Sequence, residues 1–231
     1  MIDWHSHILP GIDDGSKNVK ESLLMLKLLK EQGADTVVAT PHFYPDSSSV
    51  KEFLLKRKNS YNELMEYWNN DSPKIILGAE VCYYPGVSRL SELKDLCIEK
   101  TDILLLEMPV EKWTGYTVNE VLELACSGEF TVIIAHVERY LKFQSKAVIK
   151  RLLENGVYMQ INAASFDSFF SRKKALKALS DGTVRFIGSD CHNTDSRKPN
   201  LDSAFSCIKK EFGEDFLRKI DDFGHYVINQ I

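Results

Sequence analysis

Two short runs decide the fold: Ile2-Asp3-Trp4-His5-Ser6-His7 and Thr36-Val37-Val38-Ala39-Thr40, with Lys17–Gln32 between them. The outer runs have the length and composition of strands. The middle one carries Val19, Leu23, Leu26 and Leu29 at near-helical spacing and stops at Gly33, a residue suited to the C′ position. Strand, helix, strand is the unit that joins parallel strands by a crossover. The alternation continues to the far end, with strands expected at Lys74–Ala79, Ile103–Glu107, Thr131–Ala135, Val157–Asn162 and Arg185–Ser189. Helices are expected over Val50–Trp68, Lys146–Asn155, Lys173–Ser180 and Leu201–Phe212. Another is expected to open at the capping-box pattern Thr117-Val118-Asn119-Glu120 and to end near Gly128. Seven such units predict an α/β fold, closed or nearly closed into a barrel, with an open doubly wound sheet as the alternative.

The chain has 231 residues, a length that suits one domain over 1–231 with a single sizeable core. It is 44% hydrophobic and 27% charged, ordinary values for a folded soluble chain, and contains no apolar run long enough to span a bilayer. No membrane insertion is therefore expected. The start, Met1-Ile2-Asp3-Trp4-His5, has neither a basic nor an apolar leader segment, so a cytoplasmic location is expected. The five cysteines form no C-x-x-C pair and should be reduced. A formal net charge of −4 supplies no global attraction for a polynucleotide, and no nucleic-acid partner is expected.

In a barrel, side chains that do chemistry gather at the C-terminal ends of the strands. Here the apolar runs end on ligand-type residues. His5 and His7 are two apart on one strand and therefore share a face, and Asp190 and His192 repeat that spacing after the last strand. Between them, successive strands lead to His42, Glu80, Glu107 and His136, and Asp14 follows in the loop after the first strand. Any one of these residues has a structural reading as a helix cap, a rim ion pair or a core histidine. Six strand ends of seven doing so together do not. Of the neighbouring acids, Asp14 is read as a ligand and Asp13 as structural. Imidazole mixed with carboxylate, and no ordered cysteine, suits Mn, Fe or Zn, and nine ligands imply two or three divalent ions. Arg139 and Arg197 lie in loops that follow ligand-bearing strands. Each could form a surface ion pair, but beside metals a guanidinium fork matches phosphate.

The motifs Asp3-Trp4-His5-Ser6-His7-Ile8-Leu9-Pro10-Gly11-Ile12-Asp13-Asp14-Gly15, Ala39-Thr40-Pro41-His42, Gly78-Ala79-Glu80, Ala135-His136-Val137-Glu138-Arg139 and Ser189-Asp190-Cys191-His192-Asn193 resemble the PHP (polymerase and histidinol phosphatase) superfamily. Within it they are most similar to the bacterial manganese-dependent protein-tyrosine phosphatases of capsule and exopolysaccharide loci, the CpsB/CapC type. The resemblance runs from end to end and implies a distorted (β/α)7 barrel holding three metal ions, Mn above all. It implies His5, His7, Glu80 and Asp190 around the first metal, Glu80, Glu107 and His136 around the second, and Asp14, His42 and His192 around the third. Arg139 and Arg197 match the phosphate-contacting arginines. The implied substrate is a phosphotyrosine protein such as the tyrosine-rich tail of a bacterial tyrosine kinase. Val137 stands where many relatives have proline, and Cys191 fills a slot usually taken by another small residue.

The reaction this predicts is hydrolysis of a phosphate monoester by a metal-activated water, with the arginines on the non-bridging oxygens. Phe43, Tyr44 and Trp113 are candidates to stack on a phenyl ring. Three other readings compete. Cys191-His192-Asn193-Thr194-Asp195-Ser196-Arg197 fits C-x5-R, in which Cys191 would attack phosphorus, although that loop lacks the glycines that turn backbone N–H groups toward phosphate. A PHP phosphoesterase could act on a small molecule such as histidinol phosphate. A metal-binding module without catalysis would only recruit a partner.

Overall fold

The computed structural model describes residues 1–69 and 71–229. Nine strand segments appear among the described residues: β1 (Ile2–Ser6), β2 (Thr36–Ala39), β3 (His42–Phe43), β4 (Lys74–Leu77), β5 (Glu80–Cys82), β6 (Ile103–Glu107), β7 (Thr131–Ile134), β8 (Tyr158–Asn162) and β9 (Phe186–Gly188). All pair in parallel, as β1-β2-β4 in one sheet and β3-β5-β6-β7-β8-β9 in the other. Two expected strands stop at Ala39 and Leu77, and after each a second short segment follows beyond the expected bounds, giving the broken pairs β2/β3 and β4/β5. Pro41 has no N–H to give the ladder, and Gly78 permits a jog, so β2 passes to β3 and β4 to β5 while Gly78 N–H still reaches Ala39 O at 2.8 Å and Glu80 N–H reaches Pro41 O at 3.1 Å. The buried Arg57 supplies the missing donor to Gly78 O at 2.6 Å. Merging the broken pairs leaves seven strands. The first meets the last: Asp190 N–H donates to His5 O at 2.8 Å and His7 N–H to Cys191 O at 2.9 Å. A distorted (β/α)7 barrel, as expected, is the result.

The helices are α1 (Val19–Glu31), α2 (Val50–Met65), α3 (Gly115–Cys126), α4 (Lys146–Glu154), α5 (Phe169–Ser180), α6 (Leu201–Phe212) and α7 (Glu214–Ile228). Two differ materially from the sequence reading. α3 is capped by Thr114, which accepts from Thr117 N–H, and the Glu120 of the supposed capping box instead accepts from Tyr83 Oη, Gly86 N–H and Ser88 inside the fold. The true capping box is Ser49–Glu52 at the start of α2. α7 was not expected. It closes the bottom of the barrel, where Gly224 lies so near Trp4 that an added Cβ would sit 3.1 Å from the indole nitrogen.

Trp4 belongs to a small cluster with Ile2, Val38, Ile103, Leu105, Ile133 and Phe186, separate from the larger layer under the helices. Pleating alone would send Trp4 and His5 to opposite faces. Between Asp3 and Ser6, however, β1 takes three steps against two on β2, a bulge that turns the chain. Trp4 packs below, and His5 turns to the upper interior against Gly188.

Candidate metal centre

The upper rim brings all nine of the expected ligands together. His5 Nε2 and His7 Nε2 face each other at 3.1 Å, and Glu80 Oε2 lies 3.1 Å from the first and 3.3 Å from the second. Asp190 Oδ1 is 3.6 and 3.5 Å from the same two nitrogens. On one side, His136 Nε2 stands 2.7 Å from Glu80 Oε1 and 3.4 Å from Glu107 Oε1. On the other, Asp14 Oδ1 is 3.4 Å from both His42 Nε2 and His192 Nε2. The three groupings share a border rather than dividing cleanly, since His7 also lies within reach of the Asp14 set and His42 within reach of Glu80 and Glu107. His136 and Asp190 hold left-handed backbone, φ 30° and 52°, which is strain retained where the chain turns its side chains inward.

The fit to cations can be judged from the donors themselves. His42 Nδ1, Glu80 Oε2 and His192 Nε2 are buried and make no hydrogen bond, although buried polar atoms are otherwise paired. Two imidazole nitrogens opposed at 3.1 Å, with carboxylate oxygens of Glu80 and Asp190 beside both, suit a shared cation. Five imidazoles, four carboxylates and no thiol form a donor set for Mn, Fe or Zn. The electrostatics agree. Burial would raise the Glu80 carboxyl, but the His5 charge and the adjoining His136 and His42 imidazoles hold it well below the carboxylate range. Burial would lower His7, yet Asp13, Asp190 and Glu80 hold it well above the usual value, and against the same opposition Glu107 and Glu80 lift His136 to about 9. The carboxylates stabilise whatever positive charge occupies this centre.

Outside the ligands stands a set of orienting groups. Asp13 accepts from His7 Nδ1 at 2.7 Å and from the backbone of Gly15 and His42, which fits its structural reading. Tyr140, fully buried, places its hydroxyl 2.9 Å from His136 Nδ1. The sequence reading missed the contribution of β8, the strand without a ligand. Gln160 Oε1 accepts from His136 N–H at 2.6 Å and lies 3.4 Å from His5 Nδ1; its Nε2 donates to Asn162 Oδ1 at 2.9 Å, and Asn162 Nδ2 donates to Asp190 Oδ2 at 2.7 Å. Its signal was present: two amides at period two in an otherwise apolar strand point to one interior face.

Arg139 and Arg197 are not stray surface cations. Arg139 Nη2 donates to Asp190 Oδ2 at 2.7 Å and Arg197 Nη2 to Asp190 Oδ1 at 3.0 Å, and both line a cavity of about 410 Å³ with Asn162, Ser189 and Asp190. Each keeps further N–H groups for a ligand. Cys191 takes no part in the cavity. Its side chain is fully buried in the apolar layer, opposite in sense to Asp190 and His192, and burial, then the charges of Asp3 and Asp190, push its thiol well above the ordinary range. A buried, protonated sulfur is no nucleophile, so the C-x5-R reading fails on placement. Phe43 and Trp113 are buried and pack, whereas Tyr44 is 40% exposed and stacks on His42 with ring centroids 5.1 Å apart.

Residues 1–223 match the family model described as "Capsular polysaccharide synthesis, CpsB/CapC". The chain is 30% identical over 229 residues to the tyrosine-protein phosphatase CpsB of Streptococcus pneumoniae, covering 92% of this chain and 91% of that one. It is 28% identical over 221 residues to the tyrosine-protein phosphatase YwqE of Bacillus subtilis, with 93% and 86% covered. Among solved structures, one described as YwqE from Bacillus subtilis and CpsB from Streptococcus pneumoniae, "unique metal-dependent tyrosine phosphatases", superposes with a TM-score of 0.82 at 24% identity over 98% of this chain and 94% of that one. A histidinol phosphate phosphatase from Lactococcus lactis shares the fold at a TM-score of 0.56 and 14% identity, with 90% and 92% covered. On the extent of the family match, the chain belongs to the CpsB/CapC family of capsular polysaccharide synthesis proteins.

Proposed function

We propose that this protein is a metal-dependent phosphomonoester hydrolase, a protein-tyrosine phosphatase working as one domain in the cytoplasm on the phosphotyrosine tail of a bacterial tyrosine kinase that controls capsule or exopolysaccharide export. The observation that carries this reading is the convergence of nine imidazole and carboxylate side chains beneath two arginines that grip opposite oxygens of Asp190. His5, His7, Glu80 and Asp190 would hold one ion, Glu80, Glu107 and His136 a second, and Asp14, His42 and His192 a third, with Mn preferred. Such ions supply a water made acidic enough to attack phosphorus at neutral pH and positive charge against the phosphoryl oxygens.

The chain's own groups do the rest. Arg139 and Arg197, braced on Asp190, line the cavity, and their remaining N–H groups would bind the non-bridging oxygens, where charge develops in the transition state. Gln160 holds His5 and His136 in position and Asn162 orients Asp190, so little of the substrate's binding energy goes into ordering the site. Tyr44, the one ring of the three candidates left exposed, is placed to lie against a phenyl group. Similarity to proteins named tyrosine-protein phosphatases supports tyrosine phosphate over the small-molecule alternative. Turnover of a phosphotyrosine peptide and of histidinol phosphate, measured in parallel with defined metals added after chelation, tests the assignment; preference for histidinol phosphate would transfer it to the alternative.

A further inference from the structure

The two most exposed large apolar side chains among the described residues are neighbours, Phe169 at 72% and Phe170 at 79%. They open α5 with their rings edge to face, centroids 5.6 Å apart. The same helix turns Lys173, Lys174 and Lys177 to solvent, and no acid interrupts Ser168 to Ser180. Lys177 is paired with Asp181 at 2.7 Å and Arg172 with the backbone oxygens of Phe166 and Asp167, but Lys173 and Lys174 have no carboxylate within 4.0 Å among the described residues. A chain of net charge −4 therefore concentrates free positive charge beside exposed aromatic surface. A groove of about 390 Å³ between α5 and α6 continues the apolar strip through Phe169, Leu176 and Phe212.

The position of this strip limits what it can bind. Ala164 and Asp167 line the cavity that holds Arg139 and Arg197. Phe169 and Phe170 follow Asp167 by two and three residues, so at no more than ~3.6 Å per residue their Cα atoms lie within about 7 and 11 Å of it. A polypeptide extending from a phosphotyrosine seated in the cavity covers that distance in about three or four residues, and one more helical turn brings it to the lysines.

We propose that Phe169 and Phe170, with Lys173 and Lys174, are a docking surface for the substrate polypeptide itself, taking apolar and acidic residues that flank the phosphotyrosine. The inference rests on the phosphatase reading above. Its chemistry is complementary on both counts, since a tail carrying several phosphates or carboxylates is drawn to the lysines and its apolar side chains cover the phenyl rings. Nearness to the cavity, within about 11 Å of Asp167, favours the substrate chain over a lipid surface.

The test uses the full-length, Mn-loaded enzyme and three substrates: p-nitrophenyl phosphate, a phosphotyrosine peptide with Leu and Glu flanks, and a peptide of equal length with Gly and Ser flanks. Two double variants, Phe169→Ser/Phe170→Ser and Lys173→Glu/Lys174→Glu, change only exposed side chains. Each should lower kcat/KM on the Leu/Glu peptide about tenfold or more, chiefly through KM, while the other two substrates are turned over as by wild type. Equal wild-type rates on the two peptides, or variants that treat all three substrates alike, would overturn the docking surface. Loss of binding to phosphatidylglycerol vesicles in the Phe variant, with unchanged peptide kinetics, would overturn it in favour of a bilayer. Failure of wild type on p-nitrophenyl phosphate would instead remove the phosphatase reading beneath it.

Discussion

Gln160 offers the most informative single substitution, because one amide serves three parts of the metal centre. Gln160→Ala leaves the buried His136 N–H without its 2.6 Å acceptor and Asn162 Oδ1 without its 2.9 Å donor. A buried polar group deprived of its partner costs roughly 1–3 kcal/mol, so two such losses amount to about 2–4 kcal/mol after partial relaxation. At roughly 2–4 °C per kcal/mol for a chain of this size, Tm should fall by about 4–16 °C. The larger effect is on metal binding. With the amide gone, His5 Nδ1 loses its Gln160 neighbour, and Asn162, which donates to Asp190, loses the donor that orients its own amide. Loss of such orienting contacts costs about 10–100-fold in metal affinity. The assay is Mn titration of the chelated protein, read by bound metal after desalting, with calorimetry in parallel. Gln160→Glu keeps an acceptor for His136 N–H but sets a carboxylate oxygen against Asn162 Oδ1, so it should still lower Tm while sparing the His136 contact. A Gln160→Ala protein that binds Mn as wild type does and melts at the same temperature would refute the orienting role.

Three further substitutions and one modification sharpen the division of labour. Cys191→Ser should retain most of the rate, whereas Arg197→Ala removes a charged donor from a charge-dense transition state and should cost about 10²-fold or more in kcat/KM; near-total loss in folded, metallated Cys191→Ser would restore the cysteine mechanism. Gly188→Ala would place a methyl group 2.5 Å from His5 Cβ, so β1 must shift, and both bound metal and rate should fall while the helical content by circular dichroism is kept; wild-type metal content would show that His5 tolerates displacement. Iodoacetamide at pH 8 should label the exposed Cys126 and leave the buried Cys97 and Cys191 and the activity untouched, as peptide mapping and an aryl-phosphate assay will show.

The rim was legible because apolar runs that end on His, Asp or Glu are a linear pattern, and a barrel converts each strand end into a position around one centre. Spacing of two was enough to set His5 beside His7, and to turn Cys191 away from Asp190 and His192. Other features depend on tertiary partners and leave weaker traces. The bulge that brings Trp4 and His5 both inward is set by register against β2, not by any residue in β1. Thr117 and Glu120 satisfy the capping-box spacing, but Glu120 finds better donors on Tyr83, Gly86 and Ser88, three positions more than 30 residues away. Gln160 and Asn162 read as polar strand residues until His5, His136 and Asp190 are placed around them. α7 has its own trace in the sequence, Phe216, Leu217, Ile220, Phe223 and Val227 at helical spacing.

The central claim is that this centre hydrolyses tyrosine phosphate only when loaded with metal. The direct measurement is steady-state turnover of a phosphotyrosine peptide by the chelated protein, before and after Mn is returned in defined amounts, with bound metal counted in the same samples. The expected result is no turnover in the metal-free protein and a rate that rises with two or three ions bound per chain. Undiminished turnover in protein shown to be metal-free would contradict it.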